Sequence, residues 1–593
     1  MLEEHSVMDI DQTTTDAPDV YIASQVEDIG AVGEYATSLT SAAPPISRIP
    51  VELLIEILAW IPRLHGHSVL WRNNDCGPPW VSVTCVCRYW RRVALESRDL
   101  WTNIPLASLR WTEIALQRSN PAPITLALDT NLHSLSCFYE SVPRALQELF
   151  RLKSLSVVYS QEDIGQEAVA QIINHLSSAP APTLEELFLH FPIGGDAPFQ
   201  LPNDIFAGVA PPNLRRLSIF GCRLSTTSPV LRAPLRSLEI NQNCLVWFTI
   251  DQAIETLSVL STLEELRIDC SNVLLNPRVT QNHRRHCVQL PHLKRLVLSD
   301  NFTQSLVLCR YLRIPLTATI DIRSSYQNEI PQTDHPMLEE VLKYHFSAAV
   351  EEDTAFSHIF FERGSGSMHM ECDGLREDSQ PWRAYPFIIP PPIDGIPCAP
   401  IEDPREFSFS VPVDWAEPAI VSTLFKVPVF KNCPHLMVKE PSNYHVDQSP
   451  PDPAFWEFFS EFKEVKELEV FNRAAYSLVE ALDAPEPPML FPKLERLVIR
   501  DVNFAGWRRT GEASYSQISF FSCLLTALDA RLESTTVTPL KVVHIADCDV
   551  EPRMIKVLQK VLGEVKLDWD GKEMRIHAAD RYYDASIMDM DDA

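Results

Sequence analysis

One recurring pattern of leucines limits what this chain can fold into. Leu152-x-x-Leu155-x-Val157 returns as Leu184-x-x-Leu187-x-Leu189, Leu214-x-x-Leu217-x-Ile219, Leu235-x-x-Leu238-x-Ile240, Leu263-x-x-Leu266-x-Ile268 and Leu293-x-x-Leu296-x-Leu298. Later copies are Val465-x-x-Leu468-x-Val470, Leu494-x-x-Leu497-x-Ile499 and Leu540-x-x-Val543-x-Ile545. Alternate side chains of a short strand point to one side, and a single strand cannot keep its apolar side from water. Strands stacked one after another share a continuous core.

One or two such copies would be unremarked in any apolar-rich α/β protein. Nine at a related spacing are a repeat, and most neighbours lie about 21 to 32 residues apart, the period of leucine-rich repeats. Between strands the spacing predicts helices. Gln166 to Leu176 carries Ala168, Val169, Ile172, Ile173 and Leu176 on one side, and Ile250 to Leu260 carries Ile254, Leu257, Val259 and Leu260. The fold class is therefore α/β, with residues 105–575 an irregular solenoid of strand-plus-helix repeats. Few strands are followed by the Asn of regular repeats; Asn241 stands near such a place, Phe220 and Ser299 do not.

The period is obscured between 301 and 460. Leu316 to Ile322 and Phe407 to Val411 alternate as strands, while Gly364-Ser365-Gly366-Ser367 and the Pro-rich stretch Pro390 to Pro404 break regular structure. This region is read as exposed loops within one solenoid, with a domain boundary at 380–405 as the alternative.

Ahead of the repeats, residues 46–104 have a helical period instead. Leu53, Leu54, Ile57, Leu58 and Ile61 follow Pro50, which suits a first helical turn, and Pro62 is expected to stop the run. Trp80, Val83, Val86, Cys87, Trp90, Val93 and Ala94 recur at three and four, and Leu100-Trp101 closes the segment. A unit of about 60 residues buries little core, so an apolar face left over should meet a partner.

Three blocks of this segment resemble an F-box: Ile49-Pro50-Val51-Glu52-Leu53-Leu54, Val86-Cys87-Arg88-Tyr89-Trp90-Arg91-Arg92-Val93-Ala94 and Leu100-Trp101. Ile49 stands where that family usually has Leu, and the interval from Pro62 to Pro79 is longer. The repeats behind it are similar to the degenerate leucine-rich repeats of many fungal F-box proteins. The resemblance implies a small all-helical module that docks on the adaptor Skp1 and through it on a cullin, with Pro50, Leu54, Ile57, Leu58 and Trp101 as adaptor contacts. It implies a non-enzymatic substrate receptor of a Skp1-cullin-F-box ubiquitin ligase. The alternative is a leucine-rich scaffold outside any ligase.

Composition excludes some partners. A chain of 593 residues with 79 acidic against 51 basic side chains carries a formal charge of −28, which repels nucleic acid and anionic membranes. Residues 1–45 are acidic, lack Lys and Arg and are poor in large apolar groups, so disorder is expected; an acidic docking tail or a phosphorylation region at Thr13-Thr14-Thr15 is the functional alternative. An acidic tail at 576–593 should fray. No run resembles a secretory leader or a membrane span. Fourteen scattered cysteines read as mostly buried thiols of an intracellular protein, cytoplasmic, nuclear or both.

Chemistry-bearing motifs are lacking. Gly-Lys-Ser/Thr and Gly-x-Ser-x-Gly do not occur, which removes the phosphate loop and the nucleophile elbow. Cys85 and Cys87 would point to different sides of a helix, with Cys87 in the core; His369 and Cys372, in an expected loop, lack further ligands; His283, His286 and Cys287 crowd around two arginines. No cofactor, metal or catalytic residue is assigned. Recognition is expected on the side chains that strand alternation turns away from the leucines: Glu186, Phe188 and His190, then Arg216, Ser218 and Phe220, and likewise Glu239, Arg267, Glu469, Phe471, Arg496 and His544. Phe188, Phe220, Arg267, Phe471 and Arg496 are the candidate substrate contacts, because aromatic and arginine side chains dominate protein interfaces. Most of the others are expected to be solvated cross-strand partners.

Overall fold

The computed structural model describes residues 49–571 except 65–78, 130–134, 160–165, 192–198, 270–282, 325–333, 364–366, 376–405, 413–417, 441–452, 483–489, 509–517 and positions 107, 242, 243, 245, 301 and 506. The expectations for residues 1–45, for the acidic tail and for the Gly-Ser and Pro-rich stretches lie outside the described residues. The described chain forms two compact units, residues 49–64 with 80–97, and residue 79 with 98–571.

In the smaller unit, α1 (Val51–Leu64) and α2 (Arg88–Glu96) pack together, preceded in the case of α2 by a 3-10 stretch, Pro79–Cys85. Pro50 sits just ahead of α1, where its carbonyl accepts from the Leu54 amide at 3.0 Å. The helix runs two residues past Pro62 rather than stopping there, since a proline removes one amide donor without obliging the chain to leave the helical path. Cys87 is not core: it caps α2, its sulfur accepting from the Trp90 amide at 3.4 Å. Tyr89 Oη donates to the Ile49 carbonyl at 2.9 Å and ties α2 to the start of α1. The unit ends at Ser97, so Leu100 and Trp101 belong to the larger one.

The larger unit is built on one sheet of 16 strands. In chain order these are β1 (Ile124–Asp129), β2 (Leu152–Val158), β3 (Glu186–His190), β4 (Arg216–Phe220), β5 (Ser237–Asn241), β6 (Glu265–Asp269), β7 (Arg295–Asp300) and β8 (Thr319–Ser324). Then come β9 (His358–Arg363), β10 (Ser367–Asp373), β11 (Phe407–Pro412), β12 (His435–Glu440), β13 (Glu467–Asn472), β14 (Arg496–Arg500), β15 (Val542–Ala546) and β16 (Lys566–Trp569). The strands lie side by side in sequence order except that β11, β10 and β9 follow β8 in reverse, before β12. β10 is antiparallel to both neighbours, so β9 and β11 keep the common direction.

Each of the nine leucine motifs supplies a strand. Its last two apolar positions fall into two rows that cross the whole sheet in register. One row passes from Leu126 through Leu155, Leu187 and Leu217 to Val543 and Leu567; the other passes from Leu128 through Val157 and Leu189 to Ile545 and Trp569. The rows survive the inverted insertion, where Ile320 pairs with Phe407, Phe407 with Cys372 and Cys372 with Ile359. The first apolar residue of each motif is buried too, and lies just before its strand except for Leu152, which opens β2.

Helices fill the return paths where the sequence predicts them. Among those used below are α3 (Leu109–Ser119), α4 (Leu135–Leu146), α5 (Gln166–Ser177), α6 (Ile250–Val259), α7 (Arg473–Leu482), α8 (Phe520–Glu533) and α9 (Pro552–Leu562). Neighbours pack in succession, α3 on α4, α4 on α5, α7 on α8 and α8 on α9. Val259 departs from expectation: it is exposed while Ile254 and Leu257 are buried, because the buried face of α6 is narrower than its run of apolar residues.

Residues 301–460 do not form a loop region. They contribute β8 to β12, three of which the leucine pattern misses: β9 alternates through Ile359 and Phe361, β10 through Met368, Met370 and Cys372, and β12 through Leu436 and Val438. The sheet is continuous across 380–405, so that stretch separates no domain. Aromatic rings fill the core here, with Phe346 edge-on to Phe356, Phe407 and Phe430 at 5.5 to 5.9 Å.

Candidate binding surfaces

On the smaller unit the surface follows from helical geometry. Each residue of a helix turns about 100°, so Leu53, Ile57 and Trp60 fall on one line and Leu54 and Leu58 on a neighbouring one. Leu54 and Leu58 are fully buried, whereas Leu53, Ile57 and Trp60 are 52%, 44% and 56% exposed. Val86, ahead of α2, is also half exposed, while Val83, Val93 and Ala94 close the inner side.

The expected adaptor contacts therefore separate. Pro50 and Ile57 are at the surface; Leu54 and Leu58 form the core of the unit. Trp101 is in the larger unit, buried, with the Arg118 guanidinium 4.9 Å from its ring. The 100° step separates the Leu53 stripe from the Leu54 stripe, both apolar, and packing against the rest of the unit buries the second and leaves Leu53, Ile57 and Trp60 outside.

On the larger unit the surface is the side of the sheet opposite the leucine rows. Glu186, Phe188 and His190 stand there on β3, Arg216, Ser218 and Phe220 on β4, and the corresponding residues on later strands. Charged members pair across strands, with Arg216 at 3.5 Å from Glu186, Arg267 at 3.5 Å from Glu239, Arg496 at 3.4 Å from Glu467 and Lys439 at 3.1 Å from Glu362. Arg500 pairs with Glu469. Half-exposed pairs of this kind contribute about 0–1 kcal/mol each, so they set register more than stability.

The candidate substrate contacts fall in three separate places on this side, Phe188 and Phe220 on adjacent β3 and β4, Arg267 on β6, and Phe471 and Arg496 on adjacent β13 and β14. Phe188 is half-buried between Ser156 and Ser218, and Phe220 stacks on His190 with ring centres 4.0 Å apart. Arg267 is engaged with Glu239 and Asp269; Phe471 and Arg496 stand on β13 and β14. Not all of this side is solvated: Val297, Phe360 and Val498 are buried, Val297 between Arg267 and Asp321, Phe360 between Glu371 and Met437, and Val498 between Glu469 and His544.

Titratable groups here respond to burial and to one another. Burial holds His190 below the ordinary histidine range, against the pull of Asp129, and raises Asp269 against Arg267. His358 is held down by burial and by His435, whose ring stacks on it at 4.8 Å. The hydrogen bond from His435 holds Glu467 below the usual carboxylate range.

The pairs considered for metal do not converge. His369 and Cys372 lie on β10, not in a loop, and three residues along a strand put them on opposite sides: His369 meets Glu371 at 2.9 Å and Cys372 is core. His283 meets Asp251 at 2.8 Å, and His286 stacks on Tyr344. Among the described residues no group of three or more His, Cys, Asp or Glu could hold a metal ion. Burial pushes the Cys433 and Cys548 thiols up to about 12, which suits packing more than nucleophilic chemistry.

Fold and surfaces together define a mixed α/β protein with a separate small helical unit. The chain matches no protein-family model and no curated protein. Among the described residues no helix is long and apolar enough to cross a membrane.

Proposed function

We propose that the chain is the substrate-receptor subunit of a Skp1-cullin-F-box ubiquitin ligase, with the helical unit an F-box and the larger unit a degenerate leucine-rich solenoid. The observation that carries this is the stripe Leu53, Ile57 and Trp60, an apolar helix face left at the surface of a unit whose core is already filled by Leu54, Leu58, Val93 and Ala94. Its first member, Leu53, lies in the Ile-Pro-x-Glu-Leu-Leu block, which ties the stripe to adaptor docking by resemblance. The leucine rows support the solenoid, and the opposite side of the sheet, with mixed charge and separated aromatics, suits a protein substrate. The chain supplies binding and placement; transfer of ubiquitin belongs to other subunits.

The experiment is affinity purification of the full chain from cells with and without a cullin inhibitor. Recovery of Skp1 and a cullin, with a co-purifying protein that accumulates on inhibition, supports a receptor. Recovery of Skp1 without any protein whose abundance changes favours a scaffold, and recovery of neither removes the F-box assignment.

A further inference from the structure

The two apolar rows are closed at one end of the sheet and open at the other. At β1, Leu126 and Leu128 are buried, and the preceding chain covers the edge: the Ile104 amide donates to the Thr125 carbonyl at 3.1 Å, and the Thr125 amide to the Thr102 carbonyl at 2.9 Å. At β16 the rows end in Leu567 and Trp569, which pack against the core but are only partly buried, although their partners Val543 and Ile545 are fully buried. Trp569 Nε1 is buried with no hydrogen-bond partner among the described residues. α9, which packs against β16, extends the opening with Val557, which is 45% exposed. A stacked fold of this kind needs its last apolar layer covered.

The edge itself states what would cover it. The Lys566 amide donates to Lys541 and the Asp570 amide to Ile545, both toward β15, so the alternate residues Leu567 and Trp569 turn their backbone groups to the outer side. Among the described residues no strand pairs with that side. We propose that a second copy of this chain does, β16 to β16 and antiparallel about a twofold axis through Leu567.

In that register Leu567 faces its counterpart as a hydrogen-bonded pair, exchanging both N–H···O bonds. Trp569 meets Val565 of the other copy on the core side. On the opposite side Lys566 meets Asp568 and Asp568 meets Lys566, at the closer non-hydrogen-bonded positions where opposite charges stabilise and like charges repel. An edge of one charge sign would reject its own copy; this one complements it. Both core faces point the same way, so the rows and the helical layer continue from one copy into the other.

The test is sedimentation of the full chain over a concentration series, with variants Asp568→Lys and Lys566→Asp. The wild type is expected to dimerise reversibly, and each variant to dissociate at least about tenfold more readily with an unchanged unfolding midpoint. An equimolar mixture of the two variants restores a dimer, because a Lys-Lys edge then meets an Asp-Asp edge. A purely structural role for either residue would not produce that restoration. A monomeric wild type overturns the proposal, and protection of the Leu567 and Trp569 amides from exchange in that monomer would assign the cover to the chain's own residues after 571. A dimer indifferent to both variants and their mixture overturns it as well.

Discussion

Leu53 and Leu54 are neighbours in the chain and opposites in environment: Leu54 is fully buried, and Leu53 is half exposed on the same helix. Substitutions at the two positions should therefore separate folding from binding. Leu54→Ala opens a cavity in a small core and should cost about 2–5 kcal/mol, whereas Leu53→Ser should change stability by about 0.5 kcal/mol or less. Chemical denaturation followed by circular dichroism would show the difference, and equal losses would contradict the assignment of faces.

Gly221 follows β4 with φ +66, and a Cβ there would lie 1.8 Å from the Phe191 carbonyl oxygen. Both the left-handed backbone and the close approach require glycine. Gly221→Ala should destabilise the larger unit by about 1–3 kcal/mol or more, read as a lowered unfolding midpoint. An unchanged midpoint would mean that β3 and β4 do not approach as described.

Arg151 is buried just before β2 and holds α3 to it. Its guanidinium donates to Ser119 Oγ at 3.0 Å and to the carbonyls of Ala122 at 3.0 Å and Leu116 at 2.9 Å, and its Nε meets Glu148 at 3.1 Å. Arg151→Met keeps the stem and leaves those acceptors without their donor, at a cost of about 2–3 kcal/mol. Hydrogen exchange should rise first in α3, and a rise confined to other elements would contradict the role.

Acid should weaken the larger unit in two windows. His358 and His190 have folded pKa values below their unfolded ones, so the unfolded chain takes up protons first and stability falls as pH drops below about 6.5. Glu467, also depressed, contributes stability present above about 4.3 and lost as pH falls further through its folded value. His358→Gln should flatten the upper window and leave the lower one, measured as unfolding midpoint against pH. A profile insensitive to that substitution would contradict the burial of His358.

The repeat was legible because its physics is local. A leucine before the strand and two apolar residues within it are enough to set the rows, and all nine motifs supply strands of one sheet. β9, β10 and β12 escaped because Phe, Met and Cys take the leucine positions there, and the reversed order β11, β10, β9 depends on pairing between distant segments that no local pattern encodes. Cys87 and His369 were misplaced for a related reason: a cap and a strand both require knowing where an element begins. The small unit's apolar stripes were legible in its residues, but which of the two meets the core was not, since both are apolar and only packing against α2 buries Leu54 and Leu58.

The central claim, that the α1 stripe is an adaptor-docking face, is tested most directly by titrating recombinant Skp1 into the full chain by calorimetry, wild type against Leu53→Ser, Ile57→Ser. The account predicts saturable binding by the wild type, weakened at least about tenfold in a variant that stays folded, because two apolar anchors are lost from the contact. Absence of binding by the wild type, or equal binding by both proteins, would contradict it.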